Sequence, residues 1–143
     1  MILIDANLLL YAHNSSGQEY EPARSWLTTV MGGPDDVRLA WPTVLAFIRI
    51  GTAHAVFQRP LTLEEATAAV THWLDRPNVS ILDPGERHWT ILADLLRTAQ
   101  ARGSLVMDAH LAALTIEHGA MLYSTDRDFS RFPGLKWKNP LQP

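Results

Sequence analysis

The chain contains no cysteine, which excludes disulfides and thiolate metal sites and leaves nothing that requires an oxidising compartment. A cytoplasmic location is therefore the expectation. Long apolar runs are also missing. Residues 1–12 are apolar but are broken by Asp5 and Asn7, lack a basic leader and are too short to span a bilayer, so they read as a core strand and not as a signal or membrane anchor. There is no repeat, low-complexity tract or linker that would divide the chain. The six histidines contain no pair at i, i+4 with an accompanying Glu, so a zinc hydrolase helix is not expected. Excess positive charge is absent too: a net charge of -3 argues against a general nucleic-acid coat protein. What remains, 47% hydrophobic and 19% charged in 143 residues, suits one globular domain over residues 1–143.

Apolar strands and amphipathic helices alternate. Residues 1–4 suit a buried strand, and residues 6–13 continue as a helix with Asp5 at the junction. Helical spacing over 21–31 is stopped by Gly32, Gly33 and Pro34. A second strand is expected over 37–41, then a helix with Pro42 as its first residue, running to Gly51. Thr62 followed by Glu65 forms a capping-box pattern for a helix ending before Pro77. Residues 79–82 read as a strand, 85–102 as a long helix ended by Gly103, and 108–118 as a helix closed by Gly119. Strands over 120–123 and 135–137 complete the pattern. Such alternation predicts an α/β domain: a mostly parallel sheet of about five strands between two helical layers.

Ligands of open parallel sheets bind beyond the carboxyl ends of the strands, and three acids map to that edge. Asp5 ends the first strand, Asp108 opens the helix before the fourth, and Asp126 follows that strand. Singly, Asp5 or Asp108 could merely cap a helix, and Asp126 and Asp128 could be solvated turn residues. Jointly they need compensation, because two charges about 4 Å apart at an effective dielectric near 20 repel by roughly 4 kcal/mol. A hard divalent cation supplies it, and Mg²⁺ on carboxylates can activate water beside a phosphodiester. Metal-assisted phosphodiester hydrolysis is the chemistry these residues suggest.

The strings Ile4-Asp5-Ala6-Asn7, Met107-Asp108-Ala109-His110-Leu111-Ala112-Ala113 and Ser124-Thr125-Asp126-Arg127-Asp128-Phe129, taken in this order, resemble the acidic motifs of PIN-domain toxins from bacterial VapBC toxin–antitoxin modules. The likeness extends over nearly the whole chain. It implies a PIN-like three-layer fold and an endoribonuclease dependent on Mg²⁺ or Mn²⁺, often dimeric and neutralised by a VapB antitoxin. It also implies that Asp5, Asp108 and Asp126 ligate the metal, with Asn7 and Ser124 orienting a carboxylate or a bound water. Asn7 and Ser124 could equally be satisfied locally.

One position departs from the pattern. Where many members of the family carry a Glu, the helix after the second strand has Ala46. Either Asp128 supplies the missing charge, joining Asp5, Asp108 and Asp126 as a catalytic acid, or the metal is held weakly. The second possibility leaves open a PIN domain that binds RNA or an antitoxin without cutting. A haloacid-dehalogenase-type phosphatase is a poorer fit, since its second Asp is replaced by Asn7.

Arg49, Arg127 and Arg131, with Arg59, Lys136 and Lys138, could guide RNA phosphates, although any one of them could be a solvated surface charge. Trp26, Trp41, Trp73 and Trp89 read as core or interface, and Trp137, between Lys136 and Lys138, suits a stacking platform or a partner contact. His13, His110 and His118 lie near the expected crevice in sequence terms but read as surface or capping residues. Residues 84–88 start a helix and are assigned no chemistry. Apolar surface around Trp26 and Phe57 beyond what one small domain covers would favour a homodimer.

Overall fold

Five short strands form one sheet in the computed structural model, which describes residues 1–55 and 57–142. β1 (Ile2–Ile4), β2 (Val37–Leu39), β3 (Val79–Ile81), β4 (Met121–Tyr123) and β5 (Trp137–Lys138) lie in the order β3-β2-β1-β4-β5. Every neighbouring pair is parallel. Parallel strands need crossovers that cover both faces. Accordingly Leu3 and Ile4 of β1 are both fully buried but fall in different apolar clusters, one on each side of the sheet.

The covering helices are α1 (Ala6–Tyr11), α2 (Tyr20–Met31), α3 (Trp41–Gly51), α4 (Leu63–Leu74), α5 (His88–Thr98) and α6 (Ser104–Glu117). Leu8, Leu27, Phe47 and Trp73 from α1 to α4 pack one face. Leu95 and Leu114 from α5 and α6 pack the other, with Phe129 from a 3-10 turn over Arg127–Arg131. The result is the expected three-layer α/β/α arrangement. Among the described residues no helix is long and apolar enough to cross a membrane.

Local chemistry accounts for some of the helix ends. Thr62 and Glu65 form both capping-box bonds at 3.0 Å, and Gly119 adopts φ +62° after α6, the left-handed state that suits a residue without Cβ. Other boundaries differ from the expectation. Ala40 caps α3, so the helix starts at Trp41 and Pro42 is its second residue. Residues 12 and 13 lie beyond the end of α1. α5 is shorter than 85–102, because the backbone of residues 85–87 is turned to donate to Glu117, and Gln100 and Gly103 take positive φ after it.

The largest correction concerns Asp108. It does not open a helix: α6 begins at Ser104, so Asp108 sits in its second turn, with its backbone inside the helix and its side chain free for other work. The tryptophans expected in core or interface divide between buried and exposed positions. Trp73 is buried, but Trp41 and Trp89 are exposed by 50% and 69%. Phe57 is buried, and Trp26 leans on Tyr123 with ring centroids 5.3 Å apart. The uncovered apolar surface instead comes from Trp41, Leu45 and Met107, among others.

β1 is central, and the chain steps outward through β2 and β3 before returning to β4 on the opposite side of β1. This reversal opens a crevice at the carboxyl ends of β1 and β4. Asp5 follows one strand and Ser124 the other, and the Asp5 amide donates to the Tyr123 carbonyl at 3.0 Å.

Candidate metal centre

Asp5 leaves β1 in an extended conformation and caps α1: its Oδ1 accepts the Ala6 amide at 2.8 Å. Its Oδ2 accepts the hydroxyl of Ser124 at 2.7 Å. Ser124 is fully buried, and its Oγ also accepts the Asp126 amide at 3.0 Å and the Asn7 side-chain amide at 3.4 Å. One hydroxyl thus joins the end of β1, the first turn of α1 and the turn after β4. Asn7 Oδ1 is buried and has no hydrogen-bond partner among the described residues, so one oxygen acceptor beside the site is unused.

Asp126 caps the 3-10 turn, accepting the Asp128 amide at 2.8 Å. The tight turn brings both carboxylates to the same side, toward Asp108. Asp108, Asp126 and Asp128 each offer a carboxylate oxygen, and these atoms lie within 4.8 Å of one another. Asp5 stands outside this tight trio but close enough for its charge to act on Asp108.

Burial, and then the charges of Asp126, Asp5 and Asp128, push the pKa of Asp108 up to about 6. Burial also raises that of Asp5, against the lowering effect of its bonds to Ser124 and Ala6, while Asp126 adds to the rise. Burial is the larger cause of both shifts, and the neighbouring carboxylates add to it. The donors are all oxygens, with no thiolate and no imidazole among the trio, which fits a hard divalent cation such as Mg²⁺ or Mn²⁺.

Asp5 and Asp108 line a cleft of about 500 Å³ between α3 and α6, together with Ala46, Arg49, Met107 and His110. Ala46 on its wall is the position where the family resemblance implies an acid. Arg49 is the expected basic residue that reaches this cleft; Arg127 and Arg131 lie exposed on the 3-10 turn. Of the three histidines placed near the crevice by sequence, His110 is the one that lines the cleft. Its Nδ1 is 3.0 Å from Nε2 of His88, a residue whose segment had been assigned no chemistry. Residues two apart on a helix diverge by about 200°, so spacing offered no reason to place Asp108 and His110 on one cleft. His118 does end a helix, with Nε2 3.0 Å from the Asp83 carbonyl. His13 packs inside against Phe47 and Trp73 and not at the crevice.

The PIN domain family model matches residues 2–135. Ribonuclease VapC37 of Mycobacterium tuberculosis is 43% identical over 140 residues, covering 98% of this chain and 97% of that protein. Ribonuclease VapC33 of the same organism is 39% identical over 142 residues, covering 99% of each. Among solved structures, VapC20 of Mycobacterium tuberculosis, described as a sarcin-ricin loop cleaving toxin, matches with a TM-score of 0.65 at 18% identity, over 95% of this chain and 99% of that one. VapBC-1 from nontypeable Haemophilus influenzae matches with a TM-score of 0.68 at 18% identity, over 99% and 100%; at such identity the likeness concerns the fold. With a family match over nearly its full length and close relatives of the same size, the chain belongs to the PIN-domain family as a protein of the VapC type.

Proposed function

We propose that this chain is an endoribonuclease that works with Mg²⁺ or Mn²⁺, the toxin half of a cytoplasmic VapB–VapC pair. The observation that carries the proposal is the convergence of Asp108, Asp126 and Asp128, with Asp5 beside them, where the cleft also presents Arg49. The names of the relatives, ribonucleases VapC37 and VapC33, extend the reading from phosphodiester hydrolysis to RNA.

Asp108, Asp126 and Asp128 would hold the ion, and Asp5 completes the set, since each of its oxygens keeps a lone pair after its present hydrogen bond. When bound, the ion would supply Lewis-acid stabilisation of a phosphoryl oxygen and a water of lowered pKa. Ser124 keeps Asp5 and the 126 turn in register. Asn7 braces Ser124. Asp128 provides the charge that Ala46 does not. Arg49 attracts the RNA phosphate into the cleft, and Arg127 and Arg131 add positive field outside it. The apolar side chains of Trp41, Leu45 and Met107 near the cleft would take an antitoxin segment or a second copy of the chain.

A cleavage assay on total RNA with Mg²⁺, Mn²⁺ or chelator tests the chemistry. Cleavage with either ion, lost with chelator and in Asp5→Ala or Asp108→Ala, is the expected result. The second reading, a binding module that does not cut, draws on Ala46 in the cleft wall. RNA binding that persists with chelator, without cleavage under any metal condition, would favour it.

A further inference from the structure

We propose that this chain has a second ligand site, a basic cavity at the end of α1 remote from Asp5, which takes one phosphate group, either of a free phosphate ester or of an RNA strand. The cavity measures about 280 Å³ and lies between the ends of α1, α2 and α4. Arg24, Arg76, His13 and His72 line it, and no Asp or Glu does. In a chain of net charge -3, that concentration of nitrogen side chains is not what an average surface would provide.

Neither arginine is neutralised. Among the described residues, Arg24 and Arg76 have no carboxylate oxygen within 4.0 Å; the ion pairs of this chain lie elsewhere, at Arg38, Arg97, His88 and His118. Arg76 Nε is shielded from solvent and has no hydrogen-bond partner among the described residues. A buried donor on a permanently charged group without an acceptor is costly, and an anion in the cavity would satisfy it. Arg24 stands over the Tyr20 ring at 5.7 Å. Burial holds His13 below its usual pKa, against the raising effect of its bond to the Leu9 carbonyl, and the charge of Arg24 adds a smaller lowering.

The chemistry favours phosphate. A planar guanidinium fork matches phosphate oxygens with paired hydrogen bonds, and two forks around one tetrahedral group satisfy several oxygens together. The apolar walls formed by Leu27 and Trp73 reduce screening, and a volume of this size, against about 30 Å³ for a water in the liquid, leaves room for part of the ester. None of Asp5, Asp108, Asp126 and Asp128 lines this cavity, and Leu8, Leu9 and Leu10 of α1 are buried between Asp5 and the end of the helix. A group bound here does not touch the carboxylates, so the two sites can be tested separately.

The test is a calorimetric titration of the full chain with inorganic phosphate in chelator, at ionic strength held constant with chloride. One saturable equivalent is expected in the unmodified protein and in Asp108→Asn, weakened at least about tenfold in Arg76→Gln and in Arg24→Gln. Arg24 is exposed, so its variant decides the matter if Arg76→Gln fails to fold. Adenosine monophosphate and a short RNA oligonucleotide then separate the sources: the tighter binder identifies whether a free ester or a strand is the natural occupant. The proposal is overturned by an absence of saturable phosphate binding, by binding in both arginine variants as tight as in the unmodified protein, by loss of binding in Asp108→Asn, or by capture of an oligoglutamate peptide with no response to phosphate.

Discussion

Asp108 carries its proton more readily in the folded chain than an ordinary aspartate, whose pKa is 3.8, because burial and three neighbouring acids raise its value to about 6. In chelator, the folded state therefore binds more protons than the unfolded chain between those two values, and stability falls as pH rises through that window. Thermal melts in chelator should show a higher midpoint at pH 5 than at pH 7, and Asp108→Asn should flatten the slope; an unchanged slope would contradict the assignment. Mg²⁺ competes with that proton, so its affinity should fall as pH drops below about 6. Ser124→Ala removes a buried hydroxyl that serves Asp5, the Asp126 amide and Asn7. It should cost about 1–3 kcal/mol by chemical denaturation and weaken metal binding roughly 10–100-fold. Asp5 and Asp126 were legible from their places after strands and Asp128 from the same turn as Asp126, whereas Asp108 was legible only from its motif, because its helix begins at Ser104 and not at Asp108. The resemblance implied that Ser124 and Asn7 orient a carboxylate or a bound water, but not which partners Ser124 takes, since Asn7 and Asp5 lie 117 and 119 residues away.

The segment before α5 depends on a single side chain of α6. Glu117 accepts the amides of Gly85 at 2.8 Å and Arg87 at 2.9 Å, while Arg87 donates to the Glu117 carbonyl at 2.7 Å. Burial opposes the charge on Glu117, but the two amides, with His118 and His88, outweigh it and hold its pKa below the usual glutamate range. Replacing Glu117 with Ala should destabilise the fold by roughly 1.5–3 kcal/mol, with faster amide exchange at Gly85 and Arg87. Gly85→Ala should act on the same joint, because a Cβ there would stand 2.6 Å from Glu117 Oε2. The capping box of α4 could be read from Thr62 and Glu65 because both bonds span three residues. The start of α5 could not, since its anchor lies 32 residues further on. Gly103 likewise ends nothing but introduces α6, and the motif around Asp108 masks that earlier start.

At the scale of the molecule, pairing at the switch between β1 and β4 brings Asp5 to the turn carrying Asp126 and Asp128, and α6 brings in Asp108. A divalent ion binding there ties three parts of the chain together, so Mg²⁺ should raise the melting midpoint at pH 7.5 and chelator should reverse the gain. An Asp126→Asn, Asp128→Asn double variant should show little response. Leu45, 62% exposed on the cleft wall, is the choice for testing partner contact: Leu45→Glu should leave the thermal midpoint nearly unchanged but weaken self-association or antitoxin capture in light scattering. The alternation of apolar runs with helical spacing determined the three-layer class by itself, and the acidic motifs determined which residues could carry the chemistry, because both are local patterns in the chain. Tertiary structure alone decided that Asp128 joins the tight trio while Asp5 stands beside it, that His110 reaches the cleft, and that Arg24 and Arg76 share a cavity. Those facts depend on distances between segments remote in sequence, which are set by how helices seat on the sheet and not by any spacing along the chain.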